Sequence, residues 1–284
     1  MVAATAIFTC GDASMKLVAG TLPTGQTIFA RGIVSLFVLL HVAAWTGQLA
    51  QLRRAFRVPA LGLRCIGDMG GAVFFQSALA HMKLADIMGI IQLTPLSLTA
   101  ASALFLGENV GWRRWTAIAV GFCGALLIIK PGSSAFNAAA LIAIVAVLSG
   151  SLRDISTRRI HMGLSPVIIL LVSQIAITFA GLAFSPFEAW AVPTPLNVFN
   201  LMLASACSMI GQLCLIYSVR AGEISAVAPF RYSGMIWAIL LGLAIWGDLP
   251  DRLTFAGILV LMAAGLYTLY RERVVRMRRV STAQ

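Results

Sequence analysis

Ionisable residues occur in pairs within two long apolar segments of the sequence. Asp12 is followed four residues later by Lys16, and Asp154 is followed at the same spacing by Arg158. Residues four apart lie on one face of a helix, so each carboxylate can pair with its cation. Charged side chains are costly in hydrocarbon unless they are paired or face a cavity. Each pair therefore has two interpretations: a structural ion pair, or a pair that borders a solute path and exchanges partners during gating.

Two arginines lie within apolar segments and have no obvious local partner. Arginine presents a rigid planar fork that binds carboxylates and phosphates. Arg31 lies one turn into its predicted helix and has the alternative of extending to the membrane surface. Arg231 follows Pro229, which frees a backbone carbonyl in the preceding turn, and it is followed by Tyr232. The sequence favours Arg231 as the strongest single candidate for substrate binding.

The first half of the chain has a matching proline-interrupted segment, in which Gln92 and Thr94 precede Pro95. Two such helices at matching depth indicate a substrate site near the middle of the membrane. Helix kinks with satisfied polar groups are the alternative interpretation. The further substrate-binding candidates are Lys16, Gln76, Gln212, Tyr217 and Trp237. The candidates for coupling or gating are Asp12, Asp154, Arg158 and Asp68, of which Asp68 has an alternative partner in Arg64.

Motifs for metal-dependent or nucleophilic chemistry are missing from the sequence. The five cysteines lie singly inside apolar segments, without the spacing of a metal site. The sequence contains no HExxH motif, no GxSxG motif and no phosphate-binding loop. We therefore expect neither a cofactor nor a metal ion.

The sequence contains a long internal repeat. The segment Phe74–Gly132 recurs in related form from about residue 211 onwards, and in this alignment Gly107 corresponds to Gly247. A repeat of apolar helices with so long a period indicates a duplicated half-protein, as in many transporters.

The composition predicts a membrane protein. Of 284 residues, 60% are hydrophobic and 11% are charged, whereas charged residues make up about a quarter of a typical soluble domain. Long unbroken apolar segments favour helices over a membrane barrel, whose strands alternate. The ten predicted transmembrane helices are Val2–Ala19, Gln26–Trp45, Leu61–Met82, Ala85–Leu106, Trp112–Lys130, Asn137–Thr157, Pro166–Phe184, Val198–Val219, Ile224–Trp246 and Leu253–Tyr270.

The basic residues are distributed unevenly between the two sides of the predicted bundle. With the N-terminus inside, fifteen arginines, Arg64 and Arg153 among them, fall on the cytoplasmic side. Only Lys83, Lys130 and Arg252 fall on the outer side. This asymmetry predicts that both termini are cytoplasmic. It also explains the net charge of +11 without nucleic-acid binding.

The predicted fold is an all-α polytopic membrane protein with ten transmembrane helices. Five helices is an odd number, so two successive five-helix repeats have opposite orientations in the membrane. The predicted repeats are residues 1–132 and 133–272, followed by a basic cytoplasmic tail, 273–284. We expect the tail to act as a topological anchor, with anionic lipid headgroups as an alternative partner.

The segment ADIMGIIQLTPLSLTAASALFLGEN, followed by basic residues and by GxxGALLIIKPG, resembles EamA-type carriers of the drug/metabolite transporter superfamily. The spacing of Asp12, Lys16 and Arg31 is similar to that in one subset of the family. The resemblance covers essentially the whole chain and is strongest in Ala78–Gly132. It implies ten helices in an inverted repeat and a central cavity that opens alternately to each side. It also implies secondary transport of small organic metabolites, such as amino acids, their derivatives or vitamins.

The expected function is secondary active transport of a small polar organic metabolite across the inner membrane by alternating access. The solute would be amino acid-like, carboxylate-bearing or vitamin-like, and anionic or zwitterionic. Membrane lipids are the other expected partner, and nucleic acid is not. A polytopic enzyme acting on a lipid-linked substrate is the alternative function, and polar residues are too sparse for a channel. A monomer and a homodimer are both compatible with the sequence.

Overall fold

The chain folds into a bundle of helices. The computed structural model describes residues 1–107, 111–132, 136–160, 163–221 and 228–281, with the backbone alone for residues 106, 213, 215–221, 228–229 and 272–281. Within these ranges every regular element is an α-helix or a short 3-10 helix. The α-helices are α1 (Val2–Ala19), α2 (Thr24–Trp45), α3 (Leu52–Ala55), α4 (Pro59–His81), α5 (Leu84–Ile91), α6 (Thr94–Leu106), α7 (Trp112–Ile129), α8 (Ala139–Arg158), α9 (Pro166–Ala183), α10 (Pro195–Ala221), α11 (Ser233–Trp246) and α12 (Arg252–Ser281). The 3-10 helices are Gln48–Gln51, Ser185–Phe187 and Ala228–Tyr232.

The described helices include seven that are long and apolar enough to cross a membrane. The number is eight if Gln48–Ala55 and Pro59–His81, which meet at a bend, count as one span. The prediction of an all-α, multi-pass membrane protein is thus confirmed, whereas the number of ten spans stays a prediction. One boundary differs: α12 continues to Ser281, so most of the predicted tail 273–284 extends the last helix.

Large apolar side chains cover much of the outer surface of the bundle. Leu104, Phe105 and Phe179 are 69%, 72% and 65% exposed. Soluble monomers rarely expose apolar patches of this kind. In a bilayer the same side chains lie in hydrocarbon, which is as apolar as they are.

The fourth predicted segment is interrupted, as Pro95 predicts. Helix α5 ends at Ile91 and α6 begins at Thr94. Proline has no N–H, and its ring excludes the carbonyl four residues earlier, which here is that of Ile91. Thr94 Oγ1 donates a hydrogen bond to this carbonyl oxygen at 2.6 Å. In the second half, the 3-10 turn Ala228–Tyr232 precedes α11. The predicted helix begins at Ile224, and residues 222–227 lie outside the described residues. The interruption is therefore confirmed in the first half and stays a prediction in the second.

Matching glycines end matching helices. Gly107 follows α6 with φ of +67°, and Gly247 follows α11 with φ of +68°. This left-handed conformation is strained for residues with a Cβ and is typical of helix ends capped by glycine. The correspondence of Gly107 and Gly247 in the sequence alignment is therefore also a correspondence of backbone geometry.

The most extensive helix packing joins the first half of the chain to the second. Helix α1 packs against α10, α2 against α9, α4 against α8, and α7 against α12. If the two halves are exchanged, α1 takes the place of α8 and α10 takes the place of α4, so the α1–α10 pair becomes the α8–α4 pair. The α2–α9 pair and the α7–α12 pair each become themselves. The packing of the described helices thus has the twofold pattern that a duplicated bundle would have.

Small residues allow two of these pairs to approach closely. A Cβ atom added to Gly67 of α4 would lie 2.6 Å from the backbone N of Arg153 and 2.8 Å from the carbonyl O of Ser149 in α8. A Cβ added to Gly124 of α7 would lie 2.9 Å from the carbonyl O of Gly257 in α12. Both separations are shorter than van der Waals contact, so the backbones touch directly.

Replacing Gly67 with alanine is expected to destabilise the protein. The added methyl group has backbone atoms of α8 in its way, and overpacking of this kind costs about 1–3 kcal/mol. The matched control is Gly62→Ala in the same helix, where an added Cβ meets nothing within 4 Å. Thermal unfolding in detergent should show a lower Tm for Gly67→Ala only. Equal Tm values for the two variants would contradict the tight α4–α8 contact.

Candidate functional site

A cavity of about 290 Å³ lies between helices of both halves. Helices α1, α2 and α4 and the α5–α6 interruption line it from the first half, and α8 and α9 line it from the second. Its volume is close to the lower end, about 300 Å³, of small-molecule sites. The ionisable lining residues are Asp12, Arg31, Asp68 and Arg153, and the uncharged polar ones are Gln76, Thr94 and Gln174. Two carboxylates and two guanidinium groups give this lining a formal charge of zero.

Asp12 of α1 and Arg31 of α2 form one charged group of the cavity. The two side chains interact electrostatically, although they do not form an ion pair within 4.0 Å. Arg31 also donates a hydrogen bond to Ser208 Oγ of α10, and Ser205 Oγ donates one to the Arg31 carbonyl oxygen at 3.2 Å. Arg31 therefore connects the first half to the second and also lines the cavity.

Asp68 of α4 is the centre of a second charged group. Its carboxylate lies 3.4 Å from Arg64 Nε and 3.9 Å from Arg153 Nε. Arg153 in turn donates a hydrogen bond of 2.8 Å to Asp154. Arg64 bonds Thr157 and, at 3.2 Å, Ser173. The pairing of Asp68 with Arg64, the alternative raised by their spacing of four, is confirmed, and a second arginine joins it from α8.

Two buried polar atoms of the cavity lining lack a hydrogen bond among the described residues. Gln76 is only 3% exposed, and its Nε2 has no hydrogen-bond partner among the described residues. Leaving a buried donor unpaired costs about 1–3 kcal/mol. Asp68 Oδ2 also has no hydrogen bond in the described part of the chain, although it is the oxygen that pairs with Arg64 Nε at 3.4 Å. A polar solute in the cavity could satisfy Gln76 Nε2.

Two further ion pairs join the halves at the end of the bundle where α4 meets α5. Lys83 Nζ lies 3.7 Å from Asp248 Oδ1, and Lys130 bonds Asp251. We call these two contacts the inter-half ion pairs. The hydrogen bond from Lys130, followed by that from the backbone N–H of Thr254, lowers the pKa of Asp251 to about 2. The Asp251 carboxylate therefore stays ionised throughout the physiological pH range.

The cavity brings together five of the residues predicted from the sequence: Asp12, Arg31, Asp68, Gln76 and Thr94. The others lie elsewhere. Gln92 directly follows α5 and is partly buried, and Gln212 is partly buried in α10. Tyr217 belongs to α10, but its side chain lies outside the described residues.

Helix spacing alone assigned the wrong partners to both predicted ion pairs. Lys16 Nζ does not pair with Asp12 but lies over the ring of Trp246, 4.7 Å from its centroid, as cations do on aromatic faces. Asp154 pairs with the adjacent Arg153. Arg158 donates a hydrogen bond of 3.3 Å to Ser102 Oγ of α6. In each case a residue on another helix, or the next residue in the chain, competes with the residue one turn away.

The predicted site around Arg231 is separate from the cavity. Arg231 is exposed and is not part of the cavity lining. Tyr232 is 3% exposed, and its ring lies against Gly265 of α12. The Tyr232 hydroxyl and Trp237 Nε1 are buried without a hydrogen-bond partner among the described residues. A role for these three residues in substrate binding stays a prediction.

Two polar residues of the cavity, Arg153 and Gln174, were not predicted from the sequence. Arg153 was assigned to the basic residues of the cytoplasmic side because it is close to a predicted helix end. It lies within α8, as it does within the predicted helix Asn137–Thr157, and it faces the cavity together with Ala146 and Gly150. Ala146, Gly150 and Arg153 are at positions i, i+4 and i+7 and therefore lie on one helix face. This spacing could have identified Arg153 from the sequence. Arg64 likewise belonged to the predicted basic surface, but it is buried.

Residues 1–130 match the EamA-like transporter family. The match covers α1 to α7, including Asp12, Arg31, Asp68, Gln76 and Thr94 of the cavity. The resemblance to EamA-type carriers that the sequence indicated is therefore confirmed.

Relatives of known function extend the likeness to nearly the whole chain. The chain is 25% identical to the S-adenosylmethionine uptake transporter of Rickettsia bellii, over 95% of this chain and 91% of that protein. It is 29% identical to the pseudopaline exporter of Pseudomonas aeruginosa, over 90% of each. A protein of known crystal structure has the same fold, with a TM-score of 0.62 and 17% identity over 96% of this chain and 97% of that one. The chain is thus a membrane transporter, and the enzyme alternative is excluded.

A comparison of two arginines tests whether the cavity binds the solute. We expect Arg31→Gln to reduce transport at least roughly tenfold, since hydrogen bonds to charged groups contribute about 1.5–3 kcal/mol. If the cavity alone binds the solute, Arg231→Gln should transport normally, because Arg231 lies outside the cavity. In Arg31→Gln, the carboxylate of Asp12 loses its compensating charge, which could destabilise the protein. The double variant Asp12→Asn/Arg31→Gln removes that carboxylate as well and so controls for stability. Transport that survives Arg31→Gln and fails in Arg231→Gln would place the binding site near Arg231 instead.

Proposed function

We propose that the protein is a secondary active transporter that moves a small zwitterionic metabolite across the inner membrane by alternating access. The observation that carries this proposal is the cavity between the two halves, whose charged lining residues are two aspartates and two arginines. A charge-balanced site that is reached from both halves suits a solute carrying both a carboxylate and an ammonium group. It suits a nucleic acid or an apolar lipid poorly.

The chemistry of the lining supports this class of solute. Arg31 and Arg153 offer planar donors for a carboxylate, and Asp12 and Asp68 offer acceptors for an amino group. Gln76 Nε2, which has no hydrogen-bond partner in the described part of the chain, adds a donor. The apolar side chains of Phe75 and other lining residues can hold the remainder of the solute. An amino acid or an amino-acid derivative combines these features, and the two similar transporters of named solutes carry compounds of small size.

An inverted repeat of ten helices is the architecture that we propose for this transport. Residues 1–132 and 133–272 form the two repeats of five helices each. The twofold pattern of helix pairing and the matching caps at Gly107 and Gly247 support it. Since the number of helices in each repeat is odd, their orientations in the membrane are opposite.

The inter-half ion pairs support alternating access. Lys83–Asp248 and Lys130–Asp251 both connect the first half to the second at one end of the bundle. Any movement that opens the cavity toward that end separates these charges. Exposed ion pairs contribute only about 0–1 kcal/mol each, so they can hold this end closed without preventing its opening.

We propose that both termini are cytoplasmic. Arg64 and Arg153 lie inside the bundle and no longer count as loop residues. The remaining predicted cytoplasmic arginines still greatly outnumber the basic residues of the other side, Lys83, Lys130 and Arg252. The inter-half ion pairs would then lie at the outer face, and the Asp68 group would lie toward the cytoplasm.

Uptake into proteoliposomes tests the proposed function. The panel contains labelled neutral amino acids, S-adenosylmethionine, a dicarboxylate and a nucleoside, each with and without an imposed pH gradient. We expect saturable uptake of a zwitterionic member, with trans-stimulation by the same solute inside the vesicles. Asp68→Asn should lower this uptake, and the surface variant Arg113→Gln should not. Saturable uptake of the dicarboxylate or the nucleoside alone would contradict the proposed solute class.

A further inference from the structure

The chain between α2 and α4 runs across the end of the bundle. The helical segment Gln48–Ala55 meets α4 at an angle of 93°. A helix perpendicular to a spanning helix lies parallel to the membrane plane, where amphipathic segments occupy the interface. We call residues Gln48–Arg57 the connecting segment.

The connecting segment is held in place by the rest of the protein. Ala55 is completely buried, in an apolar cluster that includes Leu61 of α4 and Ile168 of α9. Gln51 Oε1 accepts a hydrogen bond of 2.9 Å from the backbone N–H of Ser165. The hydroxyl of Ser165 donates to Gln48. The segment is thus anchored at both ends of its helical part.

The exposed side of the connecting segment combines basic and aromatic side chains. Arg53, Arg54 and Arg57 are all exposed, and the segment has no acidic residue. Phe56 is 65% exposed, and Trp45, at the end of α2, is 92% exposed. Aromatic rings prefer the level of the lipid headgroups, and arginines near an anionic leaflet bind its phosphates.

We propose that the connecting segment lies in the membrane surface and binds the headgroups of anionic phospholipids through Arg53 and Arg57. These two arginines are four residues apart in a helical segment and its following turn, so one headgroup can lie between them. Exposed Phe56 lies between them in the sequence and would enter the adjacent acyl region. A free phosphate ion could engage the arginines but would gain nothing from the apolar ring. This proposal does not depend on the identity of the transported solute.

Lipid titration of the purified full chain tests the proposal. In neutral detergent, the increase in Tm with added phosphatidylglycerol gives an apparent dissociation constant, with phosphatidylcholine and inorganic phosphate as separate arms. Each basic residue near an anionic surface contributes roughly fivefold to affinity. We therefore expect Arg53→Gln/Arg57→Gln to weaken phosphatidylglycerol binding at least roughly tenfold. Its Tm without added lipid should stay that of the unchanged protein, because both side chains are exposed.

The matched control is Arg113→Gln/Arg114→Gln, which removes the same charge at the start of α7, on the same predicted side. This variant should bind phosphatidylglycerol like the unchanged protein. An equal loss of affinity in the two double variants would overturn the proposal, since the effect would then come from net charge alone. Equal stabilisation by phosphatidylcholine, or by inorganic phosphate, would overturn it as well. Because the readout is lipid affinity, a failure here leaves the transport proposal unaffected.

Discussion

The cost of placing charge in hydrocarbon is the constraint on which this structure depends. A bundle in which 60% of the residues are hydrophobic can hold ionised side chains only where opposite charges, polar groups or water compensate them. Asp12 and Arg31 compensate each other, and Asp68 is compensated by Arg64 and Arg153. Each group draws on more than one helix, so the charges require the helices to be assembled. Charge compensation in this protein therefore depends on helix packing.

The same constraint bears on the stability of the cavity and on the alternating access that we propose for it. A neutral set of fixed charges tolerates a low-dielectric surrounding better than an excess of one sign would. A zwitterionic solute adds one charge of each sign and keeps the balance, whereas an ion of a single sign does not. Close backbone contacts such as that at Gly67 provide rigid helix pairs beside the cavity. The inter-half ion pairs, which are more exposed, provide the contacts that are easiest to break.

Much of the fold was predictable from the sequence, because apolar segment length and proline position are local properties. Helix α1 has the predicted bounds, and the interruption before Pro95 was expected. Asp12 and Arg31 were identified as single residues because a charge in an apolar segment is conspicuous. Their relation was not predicted, since spacing within one helix assigned Asp12 to Lys16. The actual neighbours come from other helices. Arg153 was missed because it lies near the end of a predicted helix and was counted among the basic residues of the cytoplasmic side.

Cysteine protection is the measurement that tests the central claim, that the cavity between the halves holds the solute, most directly. Gly71 lines the cavity and has open space where a side chain would begin, so Gly71→Cys adds a reporter without a clash. Gly62→Cys in the same helix is the control, because it also has open space but lies outside the cavity. In a background without the five native cysteines, saturating transported solute should slow labelling of Gly71→Cys and leave Gly62→Cys unchanged. Labelling of Gly71→Cys that is indifferent to the solute would contradict the account.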